Sequence, residues 1–475
     1  MAGLFNALNA ARTSLEVNQK SIEVIGNNIS NVNTEGYSRQ FTHLTPYPSV
    51  NFGDFFVGQG VRVTDVRRDH DVFIQNQLVD KSSDYGFQNA QSRPLSELER
   101  VMNITEDNIA TDVDEFFDAW QELSASPSDL VLRDVVIQRG EVLSQSFNNT
   151  INDLNTVQEN INDTLISKVG DINSKITEIA ALNDRIMNIE INGTQANSAR
   201  DRREDLATQL AEDIGAQSYF ATNGMLSVQL PGGLPLVQGT AAMSLSAVTT
   251  GTQLDIQLNA AGVTRTLGQR NIGGEFEGLL YLRDTFIPSL ENDLDRLAYE
   301  ISTQVNTQHS AGAGLDSVVG RNFFIDPPNL AAAPPTDPWL DAARAMSVES
   351  TLIAEHIATA QAPTPPDLVA PGDNRNALIL SNLDESYLIN GIDNFNSFYG
   401  KITASVGIET NQNMLSRQGA EDSVVQLANL RDSLAGVSLE EEMIELIQFQ
   451  RGFESSAKFL TTVDEMMDTV LSIKR

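Results

Sequence analysis

Cysteine is absent from the 475 residues, which excludes a disulfide framework, a thiolate zinc site and thiol catalysis. Basic residues are few, 31 Lys and Arg against 64 Asp and Glu, for a formal charge of −33. Nucleic acid is therefore not an expected partner, because displacing counterions from phosphates needs basic patches. An anionic membrane surface is not an expected partner on the same ground. No apolar run approaches the roughly 18 residues of a membrane span, so no membrane insertion is expected. The opening MAGLFNALNAARTSLEV has neither a basic start nor a continuous apolar stretch and does not read as a secretory signal.

Catalytic signatures are missing as well. The four histidines, His43, His70, His309 and His356, lie far apart in sequence, and neither HExxH nor G-x-S-x-G occurs. GAGLDSVVG at 312–320 is half of a dinucleotide fingerprint, and no lysine completes a phosphate loop. Asp112, Asp114 and Asp118 lack the glycine and closing glutamate of a calcium loop. The expectation is no enzyme, no cofactor and no metal.

Periodicity is abundant. Leu4, Leu8, Ala11, Leu15, Asn18, Ile22, Ile25, Ile29 and Val32 alternate four-three spacing, the seam of a coiled coil with one polar position at Asn18. Leu439, Met443, Leu446, Gln450, Phe453, Ala457, Leu460, Asp464, Met467 and Leu471 repeat that spacing at the other end, after a capping box at Ser438 and Glu441. Two such seams predict that the termini pair with each other. Gly36 suits a left-handed helix end. On a wheel of about 100° per residue, Ile22, Ile29 and Val32 fall within roughly 60° of Ile25, while Asn27, Asn28 and Asn31 fall on the far side. Amides cost far less to desolvate than charges, so a helix apolar on one side and amide-rich on the other is expected to be buried on both. A pair of helices alone is marginal against chain entropy, so both ends are expected to order on assembly. The expected assembly interface is Leu4, Leu8, Leu15, Asn18, Ile22, Ile25, Asn27, Asn28, Ile29, Asn31, Val32, Leu439, Met443, Leu446, Gln450, Phe453, Leu460, Met467 and Leu471.

Between the ends, residues 114–147 predict two helices broken by SASPSD, followed by a long helix from Phe147 to Ile191. A helix over 272–312 and further helical periodicity over 392–435 complete the bundle. Residues 215–271 change texture to short alternating runs with turns at Thr222-Asn223-Gly224 and Pro231-Gly232-Gly233, an inserted β domain. Residues 326–373 are rich in Pro and Ala around a short helix near 342–360 and predict a surface excursion or linker. The fold class is mainly α with an inserted β domain, an elongated multi-domain rod. Its expected domains are 1–50 plus 431–475 (terminal coiled coil), 51–214 plus 272–325 plus 374–430 (helical bundle), 215–271 (outermost β domain) and 326–373.

NNISNVNTEGYSRQ resembles the N-terminal motif of bacterial flagellar rod, hook and hook-associated proteins, and GVSLEEEMIELIQFQRGFESSAKFLTTVDEMMDTVL resembles their C-terminal helix. RRDHDVFIQNQL, FFDAWQELSASPSDLVLRDVV and the 278–309 segment with NFF at 322–324 are similar to the hook-associated protein 1 family, members of which form the first hook–filament junction. The resemblance covers most of the chain and is weakest over 215–271 and 326–373, where an additional outer domain of longer members is expected to be missing. It implies a structural axial protein exported by the flagellar type III apparatus and located outside the cell in the flagellum. The implied partners are copies of itself, the hook protein, the second junction protein and an export chaperone on the C-terminal helix. A hook or distal-rod protein of the same family is the alternative. A carbohydrate-binding or enzymatic module in 215–270 is disfavoured by the absence of Trp there.

Overall fold

The computed structural model describes residues 2–51, 56–102, 108–191, 193–221, 224–250, 253–260, 262–330, 337–362 and 368–473. In chain order these form α1 (Ala2–Ser30), β1 (Gln40–Pro46), β2 (Val50–Asn51), β3 (Phe56–Val57), β4 (Val61–Arg68), α2 (Val72–Val101), α3 (Ile109–Ala125), α4 (Leu130–Glu190) and α5 (Asn197–Ile214). Next come β5 (Gln217–Phe220), β6 (Leu226–Gln229), β7 (Pro235–Gln238), β8 (Ala241–Ala242), β9 (Ser244–Thr250), β10 (Gln253–Ala260) and β11 (Val263–Leu267). The chain continues through α6 (Gly274–Tyr281), α7 (Ile287–Ala311), β12 (Gly312–Ala313), α8 (Ala342–Ala345), β13 (Ala360–Gln361), α9 (Arg375–Ser381), α10 (Phe395–Ala435) and α11 (Leu439–Ile473). The fold is mainly α with a β insertion, as the sequence predicts.

Two compact units divide these elements. The first comprises residues 1–87, 168–277 and 418–475, the second residues 88–167 and 278–417. In the first unit β1 pairs antiparallel with β4, Gln40 opposite Arg68 and Pro46 opposite Val61, with a bulge at His43/Leu44. The insertion holds a four-stranded sheet in the order β5-β6-β7-β8 and a three-stranded sheet β11-β10-β9. Two asparagines of α4 fasten these sheets. Asn183 donates to the carbonyls of Leu226 (2.8 Å) and Gly239 (2.7 Å), and Asn173 exchanges two hydrogen bonds with the Leu245 backbone. Gly215 ends α5 with φ +67°, and a Cβ there would lie 2.4 Å from the Gly273 Cα, so only glycine fits.

The second unit is built on aromatics that helical spacing places on one face of α3. Phe116 meets Phe117, Phe323 and Phe324 with ring centroids 5.1, 5.4 and 5.7 Å apart, and Phe117 stacks on Phe395 at 5.8 Å. Arg133 is buried with no carboxylate paired to it among the described residues. Its guanidinium donates to the carbonyls of Pro127 and Ile357 and to Thr359 Oγ1 at 2.5–2.8 Å, and burial pulls its pKa down to about 10.

Four expectations need correction. The break expected near Phe147 does not occur, because α4 runs unbroken for 61 residues from Leu130. The helix expected over 272–312 is interrupted by a π turn at Leu282–Phe286, and Gly312 already belongs to a strand. Residues 51, 56–57 and 61–68, expected within a helical bundle, lie instead in strands β2 to β4. The stretch expected as a surface excursion instead buries Ile357, Ala358, Thr359 and Ala360, and its helix spans only Ala342–Ala345. Residues 331–336 and 363–367 of that stretch, Thr222 and Asn223 of the expected turn, Asn192 beyond the long helix, and Lys474 and Arg475 at the end of α11 lie outside the described residues.

Candidate assembly interface

Helix α1 is held on two sides by its own chain. Toward α11, Ser14 Oγ lies 2.8 Å from Ser456 Oγ, and a Cβ on Gly452 would come within 2.8 Å of Asn18 Oδ1, so glycine permits the close approach. Toward the β1–β4 hairpin, Ser21 and Thr42 share a hydrogen bond of 2.9 Å. Accordingly the buried positions of α1 include Ala11, Thr13, Val17, Ser21, Val24, Ile25 and Asn28, small and polar groups included. The Ser438–Glu441 cap of α11 forms at 3.5 Å.

The amides at the end of α1 separate into two roles. Asn28, 1% exposed, has both donors and its oxygen engaged: Nδ2 donates to Gln40 O (2.8 Å) and Glu442 Oε2 (2.9 Å), while Oδ1 accepts from Gln40 N at 3.0 Å and faces the Tyr37 hydroxyl at 2.9 Å. Asn27 and Asn31 instead close the helix end locally. Asn31 Nδ2 donates to Asn27 O at 2.9 Å, and the Tyr37 hydroxyl sits 2.9 Å from Asn27 Oδ1 as well. The wheel reading expected all three amides to be buried together on one side; only Asn28 is buried, facing α11 and β1, while Asn31 is half-buried and Asn27 exposed.

Around Asn28 a polar node closes. Arg39 Nε donates to the fully buried Glu442 at 2.7 Å and Nη2 to Glu445 at 2.8 Å, while its backbone N–H binds Ala435 O at 2.7 Å. Burial would lower the Arg39 pKa, but the two glutamates outweigh it and raise it. Burial, reinforced by Asp201 and Glu442, pushes the Tyr37 phenol up to about 12. Next door, Ser38 donates to Asp201 at 2.9 Å, and Arg68 spans Asp201 and Glu204. The node thereby ties the loop after α1 to α5 and α11.

Of the expected interface residues, Ile25 and Asn28 are buried within the chain, and Leu4, Leu8, Leu15, Asn18, Ile22, Ile29, Asn31, Val32, Leu446, Leu460 and Met467 are half-buried. Asn27, Leu439, Met443, Gln450, Phe453 and Leu471 are exposed. The inner face of α11 runs instead through Glu442, Leu446, Phe449, Ser456, Leu460 and Val463, so several seam positions sit one residue off the reading from apolar spacing. Sequence reasoning also missed Ile444 (66% exposed), Ile447, Phe459, Met466 and Val470, apolar side chains that α1 does not cover. Val425, Leu430 and Leu434 at the end of α10 are exposed too. Among the described residues no cluster of His, Asp or Glu could hold a metal, and no helix is long and apolar enough to cross a membrane.

Comparison with known proteins interprets this arrangement. Residues 95–324 match the model of the flagellar hook-associated protein FlgK helical domain. Residues 6–37 match that of the flagella basal body rod protein, and 433–473 that of the flagellar basal body rod FlgEFG protein C-terminal domain. The chain resembles the flagellar hook-associated protein family along most of its length. Relatives in that family include flagellar hook-associated protein 1 of Escherichia coli, 26% identical over 98% of this chain and 99% of the relative, and its namesake in Bacillus subtilis, 26% identical over 99% of each. The Escherichia coli alignment runs to 549 positions, so that hook-associated protein carries segments this chain lacks. The flagellar hook junction protein FlgK of Burkholderia pseudomallei shares the fold, with a TM-score of 0.67 at 17% identity over 76% of this chain and all of that one. The chain is a structural axial component of the bacterial flagellum. The two rod-type matches coincide with α1 and α11, the helices that meet at the node.

Proposed function

We propose that the chain polymerises at the hook tip as the adaptor that joins hook to filament, without catalysis. It reaches that place through the flagellar type III export apparatus and acts outside the cell. The observation that carries this reading is the apolar surface left on α11 and the end of α10 after α1 has docked, with Ile444, Ile447, Leu434 and Leu471 each about half exposed or more. Exposed apolar side chains grouped as Leu439, Met443, Ile444 and Ile447 are, within three turns of one helix, mark an interaction site. In the assembled junction it is covered by neighbouring copies, by hook protein below and by the second junction protein above. Before assembly an export chaperone covers α11. Of the residues expected at the interface, those left exposed or half-buried act there together with Ile444 and Ile447, and the terminal helices gain their full rigidity only on assembly.

Deleting residues 1–33, or replacing Ile444 and Ile447 together by glutamate, is expected to leave cells without filaments while the chain accumulates in the medium. Motile cells with normal filaments would overturn the reading. Limited proteolysis of the free protein supplies the second check, with cleavage expected within both terminal helices and both ends expected to be protected in isolated flagella.

A further inference from the structure

A groove of about 190 Å³ opens on the first unit between α2, α5 and β5, walled by Val72, Val79, Ala207, Tyr219, Phe220 and Leu226. A cavity of about 150 Å³ holds a benzene ring, so this groove admits a phenyl group. Its walls are held in place. The Arg203 guanidinium lies 5.6 Å from the centre of the Phe220 ring and is itself anchored on Asn183 Oδ1 at 2.7 Å. Strand β5 is an outer strand of its sheet, which leaves Tyr219 and Phe220 half exposed at the rim.

The same unit carries an unpartnered apolar side chain of matching kind. Phe56 on β3 is 72% exposed, on a two-residue ladder in which Asn51 faces Phe56 and Val50 faces Val57. Charge selects the pairing. Copies of a chain carrying −33 repel one another, and contact is least opposed where charge is lacking. Residues 41–61 contain one acid, Asp54, and no Lys or Arg; in the groove, Glu204 is already paired with Arg68, and residues 214–254, which supply the β5 side, contain no charged side chain.

We propose that Phe56 of one copy seats in the Val72–Phe220 groove of the next copy, an inference that rests on the self-assembly proposed above. A projection that fits a recess elsewhere on an identical molecule makes a heterologous contact, which propagates from copy to copy as a ring or an open helix instead of closing a two-fold dimer. The contact is separate from the terminal helices and adds a second link between successive copies.

The absence of native cysteine makes the test direct. Cells carry two alleles together, Phe56→Cys and Asn76→Cys, the latter on the exposed rim of the groove. Isolated flagella are then oxidised. A covalent dimer is expected in at least ten-fold higher yield than from Phe56→Cys paired with Val263→Cys, an exposed position on β11. Equal yields, or no dimer, in flagella that contain the chain would overturn the inference and leave the junction reading intact. If the purified double variant Phe56→Cys/Asn76→Cys closes within one chain, Phe56 fills its own groove and the inference falls. If the unmodified chain is absent from isolated flagella, the junction reading fails and takes this one with it.

Discussion

Acid should weaken the second unit through one side chain, His309. Its imidazole is fully enclosed, edge-on to Trp120 and Phe323 with ring centroids 6.1 and 5.7 Å away. Nδ1 lies 2.8 Å from the Arg321 carbonyl oxygen and Nε2 3.1 Å from the Ala358 amide nitrogen. Only the neutral ring with its proton on Nδ1 satisfies both, donating to the carbonyl and accepting from the amide. Burial, aided by the positive charges of Arg321 and Arg133, lowers its pKa from 6.5 to about 4. A group whose folded pKa is depressed holds its full stabilising effect above 6.5 and loses it as pH falls toward 4. At 1.36 kcal/mol per pH unit the whole gap is worth about 3 kcal/mol, of which about 2 kcal/mol is lost by pH 5. Both tryptophans, Trp120 and Trp339, lie in this unit, so intrinsic fluorescence during urea unfolding reports on it alone. His309→Gln, which cannot charge, should be less stable at pH 7 and should lose about 2 kcal/mol less than the wild type between pH 7 and pH 5. Parallel losses in the two proteins would refute the assignment of a neutral, buried His309.

Arg133→Met should destabilise the same unit by about 3–5 kcal/mol in urea unfolding, because it strands the carbonyls of Pro127 and Ile357 that the guanidinium now satisfies. Two alanine substitutions within α4 should differ in sign. A Cβ on Gly140 would lie 2.5 Å from the Phe323 ring and should cost about 1–3 kcal/mol, whereas Gly170 has nothing within 4 Å and should gain about 0.5–1 kcal/mol of helix propensity, both read as shifts in the urea midpoint. Glu442→Gln should cost about 2–4 kcal/mol by leaving Arg39 short of its buried partner. Adding Arg39→Met should then cost less than the sum of the single changes, and strict additivity in the cycle would count against the pairing. A spectrophotometric titration should find two tyrosines, Tyr37 and Tyr399, that ionise only near pH 12, and Tyr37→Phe should remove one of them.

The terminal helices were legible because their apolar residues keep four-three spacing through α1 and α11. The facing of those helices was less so. Thr13, Ser21, Asn28 and Glu442 occupy the buried faces, yet a hydrophobic period registers none of them. That is why the inner face of α11 falls partly one residue from the positions that apolar spacing marks. The β1–β4 hairpin escaped notice because Pro46, Pro48 and Gly53 interrupt a stretch whose half-buried pattern does not alternate cleanly. The unbroken α4 hid behind the same limit, since Phe147 continues its buried stripe and only the assumption of a boundary divided it. Partners across hundreds of residues carry no local mark. The wheel marked Asn28 as an amide for burial, yet nothing local named Glu442 as the side chain it meets.

Glu442 stands 414 positions beyond Asn28 in the chain and 403 beyond Arg39. A polypeptide cut short or stalled before that glutamate leaves one amide proton and one guanidinium at the root of α1 without their acceptor. The molecule thus carries its own test of completeness: the first helix is locked only after almost the last stretch of chain has arrived, and a fragment cannot counterfeit the finished joint.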